Sequence, residues 1–198
     1  GDGDGDGDGD GDGDGDVHSV SFSSDSTLDG YIKSTSDGAT RELGDYFDSS
    51  GSTYPLAIGR GIPAFPDYID FYSRAILSFD TSTIPDDAVI SRAYVTVAYH
   101  SMSGDPWERV DEIPVNKLQV HIIEGTFNNS GIDLLDWDSS ADAENIAEID
   151  YFSSATKNSS DFNNSGLQAV NKTGLTQLRL QFENFQSTIA YIFIHEGS

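Results

Sequence analysis

The chain has 198 residues, with 34 acidic against 10 basic side chains and a formal net charge of -24. That balance excludes a phosphate-binding footprint, and with it nucleic acid as a partner. No cysteine is present, so disulfides, thiolate metal sites and cysteine nucleophiles are excluded as well.

Residues 1–16 are eight Gly-Asp repeats. They carry no apolar side chain, so folding alone would not offset their ordering entropy. Asp2, Asp4, Asp6 and Gly7 match the opening of an EF-hand loop, yet the twelfth position is Gly13, where a bidentate Glu is required. The tract reads as a linker or inter-subunit segment. Weak, multi-site calcium binding by its carboxylates is a further reading.

From Val17 the pattern becomes globular, and residues 17–198 read as one module. Candidate strands are Val17–Phe22, Gly30–Lys33, Leu56–Ile58, Arg74–Phe79, Ile90–His100, Lys117–Ile123, Thr176–Phe182 and Ile189–His195. Gly, Asp, Asn, Ser and Pro separate them, as turn chemistry demands. Leu118, Val120 and Ile122 alternate with Gln119 and His121; Leu178, Leu180 and Phe182 alternate with Gln177, Arg179 and Gln181. That period of two predicts one wet face on each strand. Ile189 to Ile194 is apolar on both faces, which predicts cover on both. One short helix is expected at Ser140 to Glu148. Many short strands with polar loops predict an all-β fold, an antiparallel β-sandwich or jelly roll. No apolar run approaches the roughly 20 residues that span a bilayer, so membrane insertion is not expected.

Arg74, Ile76-Leu77, Phe79-Asp80, Thr81-Ser82-Thr83, Ile84-Pro85, Ala88, Ile90 and Ala93 form a distinctive string. It resembles the core of the DNRLRE-type extracellular β-sandwich modules, a group related to alginate-associated carbohydrate-binding domains. Asn171 to Gly174 and Thr176 to Leu180 look like the second half of the same pattern. The resemblance implies a secreted or cell-surface module. Such modules usually continue into one more strand beyond a corner like Glu196-Gly197, so the last strand is expected to be clipped here or donated by a neighbouring chain.

Catalytic signatures are missing. His18, His100, His121 and His195 are scattered without zinc-ligand spacing, and neither a nucleophile elbow nor a phosphate loop occurs. The chain therefore reads as non-enzymatic. Calcium is the cofactor the loops suggest. Asp133, Asp136 and Asp138 crowd one segment, Asp25 and Asp29 another, and Asp67 and Asp70 a third. Capping by Asp138 and ordinary solvation are the alternative use of such carboxylates.

Trp107 and Trp137 lie in polar stretches and are candidate carbohydrate-binding platforms, or else seals at the ends of the fold. Asn128, Asn158, Asn163 and Asn171 each open an N-x-S/T sequon, which predicts an exposed and glycosylated face. Two functional classes follow. One is a calcium-stabilised structural or adhesive subunit that self-associates into filaments or matrix. The other is a carbohydrate-binding module of a larger secreted enzyme or surface protein, with polysaccharide as partner.

Overall fold

The computed structural model describes residues 17–35, 41–43, 55–61, 71–124 and 132–195, with the backbone alone for 41–43 and 124. The Gly-Asp tract, Asp67, Asp70 and Asn128 lie outside these residues. The described residues form ten strands, one short α-helix and one 3-10 helix. The strands are β1 Gly30–Ser34, β2 Arg41–Leu43, β3 Leu56–Gly61, β4 Phe71–Asp80, β5 Thr96–Ser103, β6 Leu118–Glu124, β7 Ala143–Ile149, β8 Thr156–Asn158, β9 Leu175–Phe182 and β10 Ala190–Ile194. Helix α1 spans Asn164–Gln168, and the 3-10 helix spans Leu134–Trp137.

All strand pairs are antiparallel, as the all-β reading anticipates. Hydrogen bonds run along one path, β7-β6-β9-β4-β3-β10-β5-β8, and the β1–β2 pair branches from β4. Strand β4 carries the topology. Phe71 to Ser73 pair with β3, whereas Ala75 to Asp80 pair with β9. Because β1 pairs with Tyr72 to Ile76, it must occupy the opposite edge. One edge of β4 is thus shared end to end by two partners, with the change at Arg74.

The sheet curls so that its two arms enclose one core. Leu56 and Ile58 of β3, Val97 of β5 and Ile192 and Ile194 of β10 join Leu77, Leu118, Val120, Ile122, Leu178 and Leu180 from the other arm. Along β3, β4, β6, β9 and β10 side chains of one parity supply this cluster, which is the physical basis of the period read in the sequence. Gly59 sits at the β3–β10 contact with φ of +117°, and a Cβ there would lie 2.6 Å from the Ala190 carbonyl oxygen. Only glycine satisfies both the backbone angle and the approach.

Three local expectations are corrected. The helix expected at Ser140 to Glu148 is strand β7. Its Ala and Glu residues favour helix, but pairing with β6 buries Ala143, Ile146, Ala147 and Ile149, and tertiary packing overrides propensity. An irregularity between Val120 and Ile122, opposite Asn145 at φ 48°, disturbs the alternation that would have marked a strand. Residues 17–22 join no ladder; Val17 and Val20 are exposed. Strand β5 begins at Thr96 rather than Ile90.

Candidate functional site

The polar face of β6 and β9 is buried rather than wet. Gln119, His121, Gln177 and Arg179 are all buried there. Residues 132–142 form a cover over Arg179. Arg179 Nη1 donates to the carbonyl oxygens of Asp136 (3.2 Å) and Ser139 (2.8 Å). Arg74 Nη1 donates to the Trp137 carbonyl oxygen, and its guanidinium lies 4.0 Å from the centre of the Trp137 ring. Trp137 packs with Ile32, Tyr72 and Ile76 in a second apolar cluster beneath the cover. Two arginines on the sheet thus hold the 3-10 helix by its backbone, through hydrogen bonds strengthened by the cationic donors.

The carboxylates at 133, 136 and 138, the candidate calcium ligands, lie within this cover and shape its 3-10 helix. Asp133 caps the 3-10 helix: its Oδ1 accepts from Leu135 N at 2.7 Å, and Asp136 Oδ2 accepts from Asp133 N at 2.8 Å. This reciprocal pairing is a capping box. Asp138 follows as the C-cap. Asp136 is fully buried, and its Oδ1 has no hydrogen-bond partner among the described residues. Burial pushes its carboxyl up to about 6, despite the Asp133 amide it accepts from. His121 on β6 faces the same layer. Its Nδ1 accepts from Asn145 N at 3.3 Å, its Nε2 lacks a partner among the described residues, and burial beside Arg179 and Arg74 lowers it to about 4. The layer holds one reluctant carboxylate and one reluctant imidazole.

Asp25 and Asp29 also serve the chain itself. Asp29 is buried; its Oδ2 accepts from Ser24 Oγ at 2.6 Å and its Oδ1 from Ser78 N at 2.7 Å. Asp25 Oδ1 accepts from the Thr27 hydroxyl and amide, which hold its carboxyl below the ordinary range. Ser78 Oγ accepts from Gln177 Nε2 and donates to the Leu28 carbonyl oxygen, so the segment before β1 is tied across β4. Among the described residues, no three His, Asp or Glu side chains converge as a metal-ligand group.

Neither indole offers a platform. Trp107 is 1% exposed; its Nε1 donates to the Ile149 carbonyl oxygen at 3.0 Å, and its ring meets Tyr151, Phe152 and Phe182 edge-on. Trp137 is 4% exposed beneath Arg74. Both seal the fold, because a large ring in a short polar stretch buries more apolar area by folding inward.

The sequons divide in the same way. Asn171 is buried; Nδ2 donates to the Leu175 carbonyl oxygen while Oδ1 accepts from Thr173 N and Oγ1. It shapes the turn into β9 and is not placed to carry a glycan. Asn163 is exposed, but its Oδ1 caps α1 at Gly166 N and its Nδ2 donates to the Asn145 carbonyl oxygen. Asn158 is exposed on the edge strand β8.

The open aromatic surface lies elsewhere, on the outer face of β10 and β5. Ala190, Ile192 and Ile194 point into the core. Tyr191 and Phe193 are half-buried and His195 is exposed, so β10 has one open face, contrary to the doubly covered reading. Ring centres step from Tyr191 to Phe193 (5.2 Å), from Phe193 to His100 (6.3 Å) and from His100 to His195 (5.0 Å). The signal was present in the alternation of aliphatic with aromatic residues, which a count of apolar positions hides.

No protein-family model matches the chain, and no curated protein matches it. No helix among the described residues is long and apolar enough to cross a membrane.

Proposed function

We propose that this chain is a non-catalytic structural or adhesive module, secreted or displayed at a cell surface, which calcium stabilises and draws into filaments or matrix. The observation that carries this reading is the use made of the buried ionisable groups. Asp29 and Arg179 each tie a cover segment to the sheet, and Asp136 closes the 3-10 helix of one of those covers on itself. Buried polar networks of this kind rigidify a scaffold.

Two further features support it. The hairpin around Asp111 and Glu112, with φ of 50° and 66°, presents Val110, Ile113 and Val115 at 59–68% exposure. Such an apolar tip suits contact with another surface. A net charge of -24, with eight aspartates in the first sixteen residues, favours assembly only when divalent cations relieve the repulsion. The DNRLRE-type resemblance and a sandwich description of the curled sheet agree with this reading.

Electron microscopy and light scattering, in calcium and in chelator, test it. Calcium-dependent polymers are the expected result; monomers at every calcium concentration overturn it. The Tyr191–Phe193 face favours a second reading, a carbohydrate-binding module. Retention of monomers on polysaccharide, lost in Tyr191→Ala, would favour that reading.

A further inference from the structure

We infer that His100 and His195 form a surface site for one divalent transition-metal ion of the zinc or copper class. The strands place the two rings together. Phe193 pairs with Ser101, but Ile194 pairs with Tyr99, so His100 is the extra residue of a bulge in β5. His195 N then donates to the Ala98 carbonyl oxygen at 3.0 Å, which keeps the residue beyond β10 alongside β5. Both side chains are exposed, and their ring centres are 5.0 Å apart with planes at 67°.

That separation suits a shared ion. Imidazole nitrogens bind zinc at about 2.0–2.1 Å, so two rings at a tetrahedral angle place their centres roughly 5 Å apart. His100 Nδ1 lies 2.9 Å from Ser101 Oγ. When that nitrogen donates to the hydroxyl, Nε2 keeps its lone pair for the metal, the usual division of labour in a histidine ligand. Phe193 meets the His100 ring edge-on and supports its orientation. Two imidazoles are borderline ligands that suit zinc, copper or nickel, whereas calcium demands oxygen. Water completes the coordination shell, and the anionic surface concentrates cations around it.

Titration calorimetry with zinc, in a large excess of calcium to occupy carboxylates, tests the assignment. One ion per chain is expected. His100→Ala and His195→Ala should each weaken binding at least tenfold, and the double variant should abolish it, while His18→Ala leaves it unchanged. Circular dichroism verifies that each variant is folded. Histidine ring resonances should shift for these two residues and not for His121. Absence of zinc binding, or a double variant that titrates like the parent, overturns the site.

Discussion

The guanidinium of Arg74 both stacks on the ring of Trp137 and donates to its carbonyl oxygen. One side chain on the sheet therefore grips the 3-10 helix at two points. Arg74→Ala should cost about 2–3 kcal/mol, combining a charge-assisted hydrogen bond with a partly desolvated cation–π contact. Arg74→Lys should recover only part, since an ammonium lacks the planar fork. Urea denaturation measures both, and an Arg74→Ala midpoint equal to that of the parent would refute the grip.

The two reluctant groups under the cover act on stability with opposite signs. Asp136 holds its proton up to about 6 when folded, against an ordinary 3.8. The folded chain then binds more protons than the unfolded one between these values, so this contribution falls as pH rises from about 4 to 6. His121 stays neutral down to about 4 when folded, against an ordinary 6.5. There the unfolded chain binds more protons, so this contribution rises with pH over the same window. The two slopes largely cancel in the parent. Relative to the parent, Asp136→Asn should tilt stability upward with pH between 4 and 6, and His121→Gln should tilt it downward. Denaturation midpoints across that range check the signs; equal tilts would contradict the shared burial.

Trp107 is a structural ring. Trp107→Ala should cost about 3–5 kcal/mol through its cavity, and Trp107→Phe about 1–2 kcal/mol with loss of the hydrogen bond to Ile149. Any polysaccharide retention should survive Trp107→Phe at a temperature where the variant is folded. Thermal unfolding and affinity electrophoresis separate stability from binding.

Gly59→Ala should destabilise by about 2 kcal/mol or more, because a positive φ and a 2.6 Å approach to the Ala190 carbonyl oxygen must both be relieved. Gly61→Ala is the control, since a Cβ there meets nothing closer than Tyr191 Cδ1 at 3.5 Å. Calorimetric melting of the pair should show a large loss for the first and a small change for the second.

Much of the sheet was legible in the sequence. Strands β6 and β9 lie where period-two alternation places them, because one parity of each feeds the core, and β1, β3, β4 and β10 lie on the apolar, β-rich runs between turn residues. Strand β7 was not, since AENIAEI has helix-forming composition and only its partner makes it a strand. The burial of the polar face of β6 and β9 was also hidden: Arg179 looks solvated until the distant 132–142 loop is laid across it, and Gln177 until Ser78 ties it to the segment before β1. Asp133 and Asp136 share one capping box and Asp138 follows as the C-cap, a use that spacing alone does not distinguish from a cation cage. Sidedness of β10 was missed because Tyr and Phe count as apolar while standing half in water.

The relay of partners along β4 has a mechanical meaning. Its first residues lock to β3 and the rest to β9, so neither arm owns the strand. Peeling either arm away strips ladder bonds from the member that aligns the other. The molecule should therefore melt as one cooperative body, and a load applied across the two arms would be borne in shear by a single backbone near Arg74.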